Sequence, residues 1–92
     1  MEVYLMKRST MGGSNLMKEA FIHKETCELK CGDLKEEWVD YRPLKASGEE
    51  ISGGRVIVEG KVYNLDKTDP KVIYRKRALK KLTKKEKEAL GL

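Results

Sequence analysis

Arg55-Val56-Ile57-Val58 and Lys61-Val62-Tyr63-Asn64-Leu65 are two short runs rich in β-branched and aromatic residues, with only Glu59-Gly60 between them. Such runs joined by a two-residue X-Gly connection predict a tight hairpin, because the glycine accepts the positive φ that the turn demands. Further strands are predicted at residues 2–8 and 25–31. In the second, Thr26-Cys27-Glu28-Leu29-Lys30-Cys31 alternates polar and apolar with a period of two. After a turn at Gly32-Asp33, the run Glu37-Trp38-Val39-Asp40-Tyr41-Arg42 reads as a returning strand over about 36–42, and Pro43 ends it or marks it as an edge. Trp38 and Tyr41 fall on opposite faces of an ideal strand; Trp38 is assigned to the core, and exposed it would mark a partner surface.

Elsewhere the spacing is helical. Met11-Gly12-Gly13-Ser14-Asn15 breaks the chain, and Leu16, Met17, Ala20 and Phe21 then recur at helical intervals, which predicts a short helix over 16–24. Residues 45–54 carry three glycines and read as a loop. Asp69-Pro70 can cap and open a helix, while the β-branched run after it can extend the sheet over 71–76; the strand reading is preferred. From Ala78 onward a helix is predicted, packed through Leu79, Leu82 and Leu90. Thr83-Lys84-Lys85-Glu86 has the form of a capping box, and Gly91 marks a stop. Together these elements give an α+β fold: a small, mostly antiparallel sheet or partly open barrel of five to six strands, a short N-terminal helix and a basic C-terminal helix.

The chain has 92 residues and a mass of 10.6 kDa, room for a single compact domain over 1–92 with a basic C-terminal segment, 71–92. A core this small leaves a modest margin of stability, so dimerisation or a bound partner is expected. No window approaches the ~20 apolar residues of a membrane span, and the first ten residues lack the pattern of a secretory signal. With two cysteines and no export signal, a reducing, cytoplasmic setting is expected. The net charge of +5 is unevenly spread: +1 over residues 1–32, −3 over 33–70 and +7 over 71–92.

Arg75, Lys76, Arg77, Lys80, Lys81, Lys84, Lys85 and Lys87 place eight cations within thirteen residues. That density can neutralise several phosphates and makes binding steeply salt-dependent, although lysine runs read no base sequence. Tyr74, just before them, is positioned to stack or pack. Other chemistry finds less support. His23, Cys27 and Cys31 are the chain's only His and Cys residues. A common zinc ion would have to reach about 12 Å along a helix, and no fourth His or Cys is present. Two cysteines of a strand at this spacing would stand roughly 13 Å apart, too far for a disulfide. No metal or other cofactor is expected; these are small buried thiols beside a surface histidine. The carboxylates Glu36, Glu37, Asp40, Glu49 and Glu50 fit a solvated face, and no nucleophile–base pair accompanies them, so catalysis is not expected. Gly12-Gly13 and Gly53-Gly54 lack the remaining parts of a phosphate-binding loop.

Gly54-Arg55-Val56-Ile57-Val58-Glu59-Gly60-Lys61-Val62 resembles in form the hairpin that closes small S4-type RNA-binding modules. The resemblance covers about fourteen residues and stops there: where that family has two basic helices, this chain has the acidic stretch 38–50. Two functions follow as expectations. The first is a non-enzymatic nucleic-acid-binding or regulatory accessory protein that contacts phosphates through its basic helix. The second is a structural or protein-interaction module, as in a virus or mobile element, that self-associates or binds an acidic or other protein surface through its sheet.

Overall fold

The computed structural model describes residues 1–34 and 36–92. In chain order the elements are β1 (Glu2–Thr10), β2 (Gly13–Phe21), α1 (Lys24–Asp33), β3 (Asp40–Ser47), β4 (Glu49–Ile51), β5 (Arg55–Val58), β6 (Lys61–Asp66), α2 (Pro70–Lys81) and α3 (Lys84–Ala89). The strands form one sheet in the order β3-β1-β2-β6-β5-β4. Every neighbouring pair is antiparallel except β2 with β6, which is parallel. This is the α+β half-barrel that the pattern predicts.

One residue explains the curl. β3 and β4 stand at opposite ends of the strand order, yet Gly48 alone joins them, so the sheet bends until its two edges share one strand. The Gly48 N–H donates to the Met1 carbonyl at 2.9 Å, and the Met1 nitrogen donates back to the Gly48 carbonyl at 2.7 Å, which continues the β1–β3 ladder. On its other side Gly48 presses on β5: a β-carbon here would lie 2.8 Å from a methyl of Val56, 2.8 Å from one of Val58 and 3.0 Å from the Ile57 carbonyl oxygen. Only the missing side chain lets the strand pass from one neighbour to the other.

Strict alternation along β1 supplies two cores. Val3 and Leu5 point into the half-barrel with Ala20, Val56, Val58 and Tyr63. Met6 faces the other way and packs with Phe21 and with Cys27 of α1, against Tyr4, Met17 and Cys31. Thr26 is fully buried, and its hydroxyl donates to the Thr68 carbonyl at 2.7 Å, tying α1 to the segment that leads into α2. A neutral buried hydrogen bond of this kind contributes about 1 kcal/mol, and removing its donor leaves a carbonyl unsatisfied.

The β1–β2 ladder shifts register between Leu5↔Ala20 and Lys7↔Leu16, leaving three β2 residues opposite Met6 alone. An irregularity of this kind bends a strand. β2 pairs with β6 only through Glu19, Ala20 and Phe21. Beyond the shift, β2, β1 and β3 continue together as a three-stranded ribbon as far as Thr10↔Gly13 and Ser9↔Asp40. Met11 caps the ribbon, with Trp38 beside it.

Several sequence expectations are corrected by the structure. The helix expected over 16–24 is strand β2, because i,i+4 positions share a face in a strand as well as in a helix. Leu16 and Ala20 serve the barrel core while Met17 and Phe21 serve the α1 core, so both faces are apolar. The helix therefore lies later: the strand expected over 25–31 is α1, where Cys27 and Cys31, one turn apart, face the sheet, and Lys24 and Glu28 pair at 3.8 Å on the outside. The returning strand begins at Asp40 rather than 36 and runs through Pro43 to Ser47, so much of the expected loop 45–54 is strand. The 71–76 strand is the first part of α2, since the Asp69 carboxylate accepts from the Lys71 N–H at 2.9 Å and Pro70 sits in the first turn. The hairpin at Glu59-Gly60 forms as expected, with φ of 49° and 79° at the two turn residues.

Candidate nucleic-acid interface

The eight predicted cations lie on the two last helices. Arg75, Lys76, Arg77, Lys80 and Lys81 are on α2, and Lys84, Lys85 and Lys87 are on α3. The expected single helix is broken at Leu82-Thr83. There the Thr83 hydroxyl accepts from the Glu86 N–H at 3.2 Å while the Glu86 carboxylate accepts from the Thr83 N–H at 3.1 Å, the capping box that the sequence announces. The Thr83 N–H, and secondarily its hydroxyl, hold the Glu86 carboxyl below its ordinary pKa. Gly91, at φ 75°, follows the end of α3.

Neither helix buries a residue. The expected packing through Leu79, Leu82 and Leu90 is met only in part: the first two are half-buried, and Leu90 is 65% exposed. Residues 70–92 therefore form an arm. Two side chains tether it to α1. The Tyr74 hydroxyl donates to the Glu25 carboxylate at 2.6 Å, which raises the phenol's pKa, and Arg77 donates to both oxygens of Asp33 at 2.8 and 3.0 Å. The radius of gyration is 16.3 Å, against roughly 12 Å for a compact chain of this length, and the longest axis reaches 50 Å.

Charge is distributed unlike that of the body. Among the described residues, five ion pairs lie within the body: Glu2–Lys45, Glu28–Lys24, Glu36–Arg8, Asp40–Arg42 and Glu50–Lys67. On the arm, only Arg77 lies within ion-pair distance of a carboxylate among the described residues. Lys71, Arg75, Lys76, Lys80 and Lys81 point in all directions around α2, because successive residues of a helix are about 100° apart. The cations encircle the arm instead of lining one face, so it offers several of them to a polyanion from almost any approach.

The ribbon tip is a second locus, and here the core assignment of Trp38 is overturned. Trp38 is 79% exposed and Met11 93% exposed, and with Val39 and the stem of Glu37 they line one apolar depression. Trp38 also holds φ at 65°. For a bulky side chain this left-handed conformation costs on the order of 1–3 kcal/mol. The sequence signal was an aromatic between Glu37 and Val39, just before the strand begins.

His23 precedes α1 half-buried and makes no side-chain capping bond, while Cys27 and Cys31 are free thiols. No group of three or more His, Cys, Asp or Glu side chains is gathered for a metal ion among the described residues. Burial pushes the Cys27 thiol from 9.0 up to about 12, and burial raises Cys31 as well. Because folding keeps the Cys27 proton on while the unfolded chain releases it near pH 9, stability falls as pH rises from about 9 to about 12. Cys27→Ala should cost about 1–2 kcal/mol at neutral pH and flatten the urea-midpoint profile across that window. Profiles of wild type and variant that run parallel would refute it.

Among the described residues no helix is long and apolar enough to cross a membrane. Comparison with protein-family models, curated proteins and solved structures returns no match.

Proposed function

We propose that this chain is a small non-enzymatic nucleic-acid-binding or regulatory accessory protein whose arm, residues 70–92, contacts phosphates. The observation that carries the reading is the density of arm cations without a carboxylate partner among the described residues, beside a body in which acidic residues outnumber or nearly match basic ones and five ion pairs form internally. A helix charged on every side supports contact with the backbone of DNA or RNA and offers no constellation for reading bases.

Fluorescence anisotropy of labelled duplex DNA and single-stranded RNA across a salt series tests this. With about five phosphates engaged, log K should fall against log salt with a slope near −4.5 on duplex and −3.5 on single strands. Absence of binding at low salt, or binding insensitive to salt, would reject the reading. A second reading, a protein-interaction module, is favoured by one observation, the exposed and strained Trp38.

A further inference from the structure

We propose that the Met11–Trp38 tip is a docking site for the cationic arm of a second copy of this chain. An exposed Trp38 held at φ 65° is disfavoured twice in the isolated molecule, through hydrated indole and through backbone conformation, and the described residues leave 79% of it uncovered. A partner that buries the ring offsets both. Aromatic side chains filling such contacts carry much of the energy of an interface.

The occupant follows from what else the chain leaves uncovered. Glu37, which lines the tip, has no cation within ion-pair distance among the described residues, whereas neighbouring Glu36 and Asp40 are held by Arg8 and Arg42. The tip thus presents an apolar surface with a carboxylate that no described cation pairs with, which disfavours phosphate and favours a basic, apolar segment. The arm has that character. Val72, Leu90 and Leu92 are 44, 65 and 58% exposed on it, among lysines without carboxylate partners. One polypeptide therefore carries both halves of a complementary contact, and the break at Leu82-Thr83 makes α3 a separate helix that ends at the exposed Leu90 and Leu92.

Trp38, the chain's single tryptophan, is its own reporter. From about 1 µM to about 1 mM, the range of weak association, light scattering should show a rise from one chain to two, with Trp38 emission moving to the blue in step. Leu90→Glu with Leu92→Glu, and separately Glu37→Lys, should each shift the transition at least tenfold higher in concentration. Mixing Glu37→Lys protein with Lys84→Glu/Lys85→Glu protein should recover part of the association through the swapped charges. Three results overturn the proposal: a wild-type mass of one chain throughout, association that survives the arm substitutions, or a blue shift that appears only when nucleic acid is added. Salt-dependent binding of DNA or RNA is a separate readout, so the two proposals can fail independently.

Discussion

Gly48→Ala is expected to destabilise the protein by about 2–4 kcal/mol, at and above the upper end of the usual cost of overpacking a closed site. The added methyl would lie 2.8 Å from methyls of both Val56 and Val58 and 3.0 Å from a backbone oxygen. Those valines are 0% and 4% exposed, and β-branched side chains have no flexible end to swing aside. Relief requires the strand to back away from β5, which opens the seam that closes the half-barrel. For a domain of roughly 5–14 kcal/mol total stability this is a large share, with a melting temperature lower by about 10–25 °C. Gly32→Ala is the control. Gly32 lies within α1 with nothing within 4 Å of its β-carbon position, so alanine there should stabilise by up to about 1 kcal/mol. If Gly48→Ala moves the denaturant midpoint no further than a surface substitution, Gly48 is not the closing joint.

Reversing Lys80, Lys81, Lys84 and Lys85 to glutamate should weaken binding to duplex DNA or RNA by on the order of a thousandfold or more. Four charge-assisted contacts at roughly 1–1.5 kcal/mol each amount to about 4–6 kcal/mol, or 10³–10⁴ in Kd. The salt slope should flatten by about one unit for each lysine that meets a phosphate. The fold should survive, because all four side chains are exposed and make no ion pair among the described residues. Circular dichroism and the thermal midpoint check that. Retained affinity with an unchanged slope would place the polyanion contact elsewhere or remove it.

What the sequence conveyed, and what it hid, has a consistent physical basis. The Glu59-Gly60 hairpin and the Thr83–Glu86 capping box were legible because each is settled by a few adjacent residues whose bonds close locally. The arm's charge was legible for the same reason: counting needs no geometry. β2 and α1 were exchanged because an apolar interval of four suits both element types, and β2 has an apolar residue for each of two cores. Residues 71–76 turned on a single cap: Asp69 and Pro70 outweighed the β propensity of Val72, Ile73 and Tyr74. The closing role of Gly48 was invisible, because it depends on β1 and β5 flanking one position from opposite sides. Trp38 misled because aromatic character argues for burial wherever a strand is drawn through it.

The arm's two tethers have a kinetic meaning. A segment with no buried side chain, held to α1 by side-chain hydrogen bonds of Tyr74 and Arg77, draws little cooperativity from the rest of the molecule. Its amides should exchange with deuterium orders of magnitude faster than those of β1 and β5, in a unit that opens without the barrel. On the proposed function, a bound polyanion would add protection across residues 70–92 and leave that of the barrel unchanged, so exchange would separate the gripping unit from its support.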